Sequence, residues 1–399
     1  MLEGGLSPIY EPGLEELIRK NQKAGRLSFT SNIAAAVKDS SVIFIAVHTP
    51  TKENGETDLR HVQAVSREVA QAMDSYKVVV SKSTMPVNTS KKIKEIITKF
   101  CVKQIDFDIV SNPEFLKEGT AVHDFLHPDR IVIGVESKGA EKIMRQLYQP
   151  IKAPVIFTSI ESSEIIKHAC NAFLATKISF INAIANICER NNGNVVEVAQ
   201  AMGLDARIGP EFLKAGIGFG GSCFPKDVSA FINVAQKSGY DFGLLKEVKK
   251  INKKQRELFL AKIIKHVPNI KGKTIAIWGL SFKPDTDDMR EAPSIDIING
   301  LVAAGVMVKV FDPVAMEKAK EILKDKVIYG ASAMEILKNA DALVICTEWA
   351  EFKKIKPEAI KKLMKALLVF DGRNIFSVEK MLRLGFAYYS IGRNHAAEN

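Results

Sequence analysis

Ser41-Val-Ile-Phe-Ile-Ala-Val47 and Lys77-Val-Val-Val-Ser81 flank a stretch, Leu59–Met73, whose apolar residues recur at helical spacing. Two short aliphatic runs joined by an amphipathic helix are the βαβ signature of a parallel sheet, because parallel neighbours require a long crossover. The alternation continues through Phe107-Asp-Ile-Val110 and Arg130-Ile-Val-Ile-Gly-Val135, with helical stretches at Thr89–Phe100 and Ala140–Tyr148. It returns at Thr274-Ile-Ala-Ile-Trp278, Val308-Lys-Val-Phe311, Ala342-Leu-Val-Ile-Cys346 and Leu367-Leu-Val-Phe370. Between the two blocks, Ser159–Arg190 carries an apolar stripe and no helix breaker. At 1.5 Å per residue that predicts one helix of about 45 Å, a length that bridges domains or carries a dimer interface.

The fold class expected is therefore α/β: two Rossmann-like α/β domains joined by a central long-helix domain, with boundaries at 1–158, 159–268 and 269–399. The 399 residues are 46% hydrophobic and 26% charged, close to the soluble globular average, which excludes disordered and fibrous classes. Lys and Arg exceed Asp and Glu by 56 to 46. The excess reads first as solvated helix faces and, as the alternative, as a field that attracts an anionic ligand; no basic run interleaved with aromatics suggests nucleic acid. No apolar run reaches the ~18–20 residues of a membrane span, and Met1–Pro12 lacks a signal-peptide pattern, so a cytoplasmic protein is expected. The five cysteines, Cys101, Cys170, Cys188, Cys223 and Cys346, form no C-x-x-C pair and support neither a disulfide framework nor a metal site.

One G-x-G-x-x-G is present, Gly216, Gly218 and Gly221, in Ala215-Gly-Ile-Gly-Phe-Gly-Gly-Ser-Cys223. A dinucleotide fingerprint needs a strand before it and a helix opening after it. Here helical sequence precedes it and Ser-Cys-Phe-Pro follows, so a flexible glycine loop that wraps a ligand and presents Cys223 is the better reading. Cys223 is flanked by Lys226 and, four residues on, by Asp227, a setting that suits a nucleophile. Cys170, Cys188 and Cys346 sit in apolar helix or strand contexts. On the long helix Glu164, Lys167, His168 and Asn171 fall at spacings of three and four. They are either the helix's exposed stripe or, for Lys167 and Asn171, a rigid oxyanion-stabilising pair. Glu114 and Glu118 follow a strand end, at the sheet edge where α/β proteins bind ligands. Asp124, Asp129 and Arg130 read as structural ion pairs nearby.

In order along nearly the whole chain, Pro8-Ile-Tyr-Glu-Pro-Gly-Leu14, Lys82-Ser-Thr-Met-Pro-Val87, Ser111-Asn-Pro-Glu-Phe-Leu-Lys-Glu-Gly119, His127-Pro-Asp-Arg130, Lys167-His-Ala-Cys-Asn171, Phe212 to Asp227, Gly279 to Asp288 with Arg290, and Asp371-Gly-Arg-Asn374 resemble the UDP-glucose 6-dehydrogenase family. The resemblance implies a four-electron oxidation of a sugar C6 alcohol to a carboxylate with two NAD in turn, by a homodimer. It makes 1–158 the NAD-binding domain, 159–268 the central dimerisation domain and 269–399 the UDP-sugar domain. It implies that Cys223 attacks the intermediate aldehyde, that Lys167 and Asn171 stabilise oxyanions, that Asp227 holds a water and that Glu114 is a base for thioester hydrolysis. Glu118 would lie near the nicotinamide; Thr49, Thr84, Lys226 and Arg290 would join it in holding NAD. Glu114, Phe115, Leu116, Lys117, Lys167, Arg207, Phe212, Leu213, Lys214, Ala215, Gly216, Gly220, Lys283 and Arg373 would hold the UDP-sugar.

Two departures set further expectations. His48 stands before Thr49-Pro50 where the family has a small residue or Asn. Nothing before Pro8 matches the family's opening strand, glycine-rich turn, helix and acidic residue, an expected shortfall of about 30–50 residues, roughly one βαβ unit. On that reading Ser41–Val47 and Lys77–Ser81 lose their usual neighbours or expose sheet edges, and NAD binds weakly while UDP-glucose still binds. The alternatives are a dehydrogenase of GDP-mannose or a UDP-N-acetylhexosamine, or a UDP-sugar-binding protein without turnover.

Overall fold

The computed structural model describes residues 1–50, 52 and 55–393. It divides into two compact units, Met1–Ala172 with Lys226–Phe242, and Phe173–Pro225 with Gly243–Asn399.

The first unit is built on five strands, β1 Val42–Ile45, β2 Lys77–Ser81, β3 Phe107–Ser111, β4 Ile131–Gly134 and β5 Val155–Thr158, in the order β1-β2-β3-β4-β5. β1, β2 and β3 are parallel; β4 meets β3 antiparallel through the single pair Ser111↔Gly134 and runs parallel to β5. The three consecutive valines of β2 are fully buried because both faces of the sheet are covered. Val79 packs with Val62 and Val69 of the helix Arg60–Ala72 and with Ile93 and Ile97 of the helix Thr89–Phe100. Val78 and Val80 turn to the other face, against Met144 and Tyr148 of the helix Lys138–Tyr148. The expected loss of neighbours does not hold for Lys77–Ser81, which is hydrogen-bonded to β1 on one side and to β3 on the other. It is β1 that forms the sheet edge, with Phe44 39% exposed.

The second unit holds β6 Thr274–Trp278, β7 Met307–Phe311, β8 Ile328–Tyr329, β9 Ala342–Ile345, β10 Leu368–Asp371 and β11 Ala387–Ser390. All pair in parallel, in the order β11-β10-β9-β6-β7-β8. The order reverses between β6 and β9, and crevices at the carboxyl ends of strands flanking such a reversal are where open α/β sheets take ligands. Alternation again splits the strands between two cores: Ile275 and Ile277 face one, Ala276 and Trp278 the other, where Trp278 stacks on Phe352 with ring centres 5.0 Å apart. β5, β8 and β11 lie outside the expected strands; β8 is two residues long and β11 is Ala-Tyr-Tyr-Ser, so neither has an aliphatic run.

The expected long helix is present as Ile160–Arg190. Residues 160–172 belong to the first unit and 173–190 to the second. In the second unit the glycine-rich segment is wound tightly against its surroundings. A Cβ built on Gly220 would lie 2.2 Å from the carbonyl oxygen of Glu291, and Gly221, at φ +83°, is closed in by the Phe282 ring. A side chain at Gly220 meets backbone that cannot give way. We therefore expect Gly220→Ala to destabilise the chain by about 3 kcal/mol, lowering the melting temperature by about 6–12 °C. The control Gly243→Ala, where the added methyl meets nothing within 4 Å, should change it little in the same thermal melts.

Candidate active site

The four polar residues of the long helix are not an exposed stripe. Glu164, Lys167, His168 and Asn171 are all buried, and each reaches a different element of the first unit. Glu164 accepts the backbone N–H of Asn88 at 2.6 Å and of Ser90 at 2.9 Å, and the Ser90 hydroxyl at 2.7 Å. It thereby caps the helix Thr89–Phe100 from a distant part of the chain. Burial raises its pKa and these three hydrogen bonds oppose the rise. Lys167 Nζ pairs with Glu114 Oε1 at 3.1 Å and lies 5.4 Å from the Phe115 ring centre. His168 Nε2 is 2.9 Å from the Met85 carbonyl, its ring stacks on Phe231, and burial lowers its pKa. Asn171 Nδ2 donates to Asp227 Oδ2 at 2.5 Å, and the other oxygen of Asp227 pairs with Lys226 at 3.2 Å.

Glu114 stands just past β3. Its second oxygen accepts the Leu116 N–H at 2.7 Å, so the carboxylate shapes its own loop while facing Lys167. Lys117 donates its N–H to Asp124 and pairs with it at 3.7 Å. Arg130 corrects its expected role: its guanidinium lies 4.1 Å from the Phe115 ring centre and donates to Cys170 Sγ at 3.4 Å. Cys170 therefore has a cationic neighbour rather than a purely apolar setting. Glu114, Phe115, Leu116, Lys117 and Arg130 line a cleft of about 190 Å³ with Lys82. Glu118 is half-buried, and the N–H groups of Gly119 and Ala121 beyond it donate to the carboxylate of Glu11 at 2.7 and 2.8 Å. At the carboxyl ends of β1 and β2, Thr49 Oγ1 donates to the Thr84 carbonyl at 3.0 Å and accepts from Lys226 at 3.5 Å, while Ser83 Oγ donates to Val47 O. His48 is exposed and leaves this turn open.

In the second unit the glycine segment is packed against the protein's own side chains and backbone. Leu213 and every residue from Ala215 to Gly221 are buried, with the side chain of Lys214 projecting outward between them. Asn182 Oδ1 accepts the Gly216 N–H at 2.9 Å and Gln255 Nε2 donates to Gly216 O at 2.9 Å. Asn252 both accepts from the Phe219 N–H and donates to the Phe219 carbonyl. A helix, Phe224–Lys237, does open directly after the segment, contrary to the sequence reading, although no strand precedes it. Cys223 is thus half-buried one residue before a helix start, the positive end of the helix dipole, which favours an anion. Cys188 and Cys346 are buried, and burial pushes the Cys346 thiol up to about 12.

Phe212 adopts a left-handed φ of 65° and its ring meets that of Phe224. Arg373 gathers this region: Nε donates to the Cys346 carbonyl at 2.7 Å, and the terminal nitrogens reach the carbonyls of Gly218 at 3.4 Å and Phe282 at 3.3 Å. Lys283 lies beside the Phe282 ring, and Arg290 is clamped by Asp288 with bonds of 2.8 and 2.7 Å while its carbonyl accepts from Gly221. Arg207 stands apart, 89% exposed in its side chain and paired with Asp205 at 2.6 Å.

Three domain profiles of the UDP-glucose/GDP-mannose dehydrogenase family match the chain: its NAD binding domain over 1–152, its central domain over 161–254 and its UDP binding domain over 276–378. The chain belongs to this family. The UDP-glucose 6-dehydrogenase TuaD of Bacillus subtilis is 48% identical over 392 residues, 98% of this chain and 85% of that protein. The UDP-glucose 6-dehydrogenase of Rhizobium meliloti is 43% identical, over 98% of this chain and 91% of its own length. Among solved structures, a UDP-glucose dehydrogenase from Pyrobaculum islandicum matches with a TM-score of 0.92 at 35% identity, covering 98% of this chain and 89% of that one. A UDP-D-ManNAc dehydrogenase from Pyrococcus horikoshii matches at 0.86 and 26% identity, covering 99% and 91%.

The first unit of this dehydrogenase therefore carries an NAD-binding domain. The residues present fit that cofactor: the stitched loops after β1 and β2 lie at the carboxyl edge of parallel strands, with hydroxyls of Thr49 and Ser83 and the ammonium of Lys226 gathered there. Sequence reasoning gave no role to Glu11, Lys82 or Glu164, which the structure places beside the candidate site residues; the only signal for Glu164 was its place on the polar face of the long helix. Removing its carboxylate strands two backbone donors and a hydroxyl in a buried place. Glu164→Ala should lower unfolding free energy by about 2–4 kcal/mol in urea titrations, with Glu164→Gln recovering part of the loss.

Proposed function

We propose that this chain oxidises UDP-glucose at C6 to UDP-glucuronate, using two NAD in turn. The observation that carries the reading is the buried pair Lys167 and Asn171, one helical turn apart and each braced by a carboxylate, Glu114 and Asp227. The identities of 48% and 43% to proteins named UDP-glucose 6-dehydrogenase support this nucleotide sugar over others.

The C6 alcohol loses a hydride and a proton to give an aldehyde. The Cys223 thiolate adds to the aldehyde carbon, forming a thiohemiacetal; loss of a second hydride gives a thioester, and water releases the carboxylate and the thiol. NAD supplies the hydride acceptor in both oxidations. In this reading the Lys167 ammonium and the Asn171 carboxamide donate to the oxygen that carries developing charge, in a buried setting where such donors act strongly. Asp227 orients the hydrolytic water, and Glu114 takes its proton as it attacks. Glu118, Thr49, Thr84, Lys226 and Arg290 hold the cofactor. The segment Phe212–Gly216 with Gly220, Lys283 and Arg373 holds the UDP-sugar together with Phe115, Leu116 and Lys117. Arg207 is assigned to the substrate on the sequence resemblance alone.

We also propose a cytoplasmic homodimer. Phe173, Phe180 and Ile187 recur every seven residues along the second half of the long helix, two turns apart on one face, and are 65, 49 and 53% exposed. Five free thiols suit a reducing compartment.

Product analysis by mass spectrometry with UDP-glucose, GDP-mannose and UDP-N-acetylhexosamines should give UDP-glucuronate as the main acid. Lys167→Ala should lower kcat by about 10²–10³ with a smaller change in KM, and Cys223→Ser should stop acid production. A rise in KM alone for Lys167→Ala would make that residue a binding group. In sedimentation runs the wild type should be dimeric, and Phe180→Glu should shift it toward monomer.

A further inference from the structure

Lys82 follows the last residue of β2 and has no part in the roles given above. Its Nζ donates to Asn112 Oδ1 at 3.1 Å. That oxygen also accepts the Tyr148 hydroxyl, while Asn112 Nδ2 donates to the Val132 carbonyl at 2.8 Å, so the amide is held with its oxygen toward Lys82. Among the described residues Lys82 forms no ion pair. Its ammonium rests on a neutral acceptor in the same cleft as Glu114. The charged groups acting on it are Glu114, from the loop after β3, and Lys167, from the long helix; Tyr148 reaches it through Asn112. Elsewhere around the cleft Arg130 is engaged by Phe115 and Cys170, and Asp124 by Lys117.

Glu114, paired with Lys167 at 3.1 Å, also lines the cleft into which Lys82 is set, so one carboxylate stands near two ammoniums. We propose that Lys82 is a positioning residue for the oxidation: its charged form competes for Glu114 and repels Lys167, freeing Lys167 to turn to the substrate oxygen, and its neutral form leaves Lys167 locked on Glu114. Burial first, and then Lys167, lower the Lys82 pKa to about 8, with Glu114 opposing, so the two forms exchange near physiological pH. The proposal rests on Lys167 and Glu114 acting as assigned under the proposed function.

Two measurements test it. The first is the pH dependence of kcat with UDP-glucose. Wild type should show a downward step near pH 8. Lys82→Met should lack the step and run about tenfold slower at neutral pH with little change in KM, whereas Lys82→Arg should stay active and carry the step to higher pH. The second measurement needs no turnover: NMR titration of lysines labelled at Cε and Nζ, with Lys82 assigned through its loss in Lys82→Arg. Its midpoint should fall in Glu114→Gln, which removes the favouring carboxylate, and rise in Lys167→Met, which removes the like charge. A step near pH 8 that persists in Lys82→Met, or a Lys82 midpoint at the ordinary ~10.4 that neither substitution moves, overturns the proposal. A chain that turns over no nucleotide sugar would instead fail the functional reading, and the titration would still decide whether the three charges are coupled.

Discussion

Burying four polar side chains along one stripe of a helix is the constraint on which the first unit depends. Each of Glu164, Lys167, His168 and Asn171 would cost free energy inside the protein without a partner, and ionised groups would cost most. The partners come from four different places: the start of the helix Thr89–Phe100, the loop after β3, the loop after β2, and the helix that begins at Phe224. Satisfying the stripe therefore fixes where those segments end up. The groups proposed for the reaction centre are the same groups that hold the loops together.

In the second unit the same economy is exercised by main chain rather than by charge. Asn182, farther along the long helix, with Gln255 and Asn252 on the helix Gly243–His266, bonds the backbone of the glycine segment directly. Glycines are needed there because other backbone and the guanidinium of Arg373 come within contact distance. At the strand ends two aspartates do comparable work: Asp312 accepts the N–H groups of Leu280 and Ser281, and Asp371 those of Ile375 and Phe376 along with the Tyr388 hydroxyl. Asp371 organises the turn that follows its own strand and carries Arg373, whereas Asp312, just past β7, organises the turn after the neighbouring β6, which leads to Lys283.

Much of this was legible in the residues. Val78 to Val80 could only be a strand covered on both sides, and 160–190 could only be a helix. Periodicity says which residues share a face but not whether that face meets solvent, so whether Lys167 and Asn171 belong to an exposed stripe stayed open until burial was known. Glycine carries one local signal for two situations, approach by a ligand and approach by the protein's own backbone, and at Gly220 the neighbour proved to be Glu291. Arg130 was misjudged because acidic residues beside it in sequence suggested ion pairs, whereas its contacts are an aromatic ring and a thiol brought from elsewhere. Lys82 opens one of the segments that carry the family resemblance but gave no sign of a role, since a lysine after a strand looks alike whether its end is solvated or enclosed. The glutamates Glu11 and Glu164 act on backbone N–H groups more than seventy residues away, a relation no local pattern encodes.

The chain has two tryptophans, and both, Trp278 and Trp349, are buried in the second unit. Trp278 stacks on Phe352 and donates to the Ala333 carbonyl, while Trp349 donates to Asp312. The intrinsic indole emission of this protein is consequently a private signal of one unit. It reports the sheet from β6 to β11 and is dark to the unit that carries Lys82, Glu114 and Lys167. An optical probe of the first unit has to be introduced, and the edge strand position of Phe44, already aromatic and partly solvent-facing, offers a place to put an indole without disturbing either core.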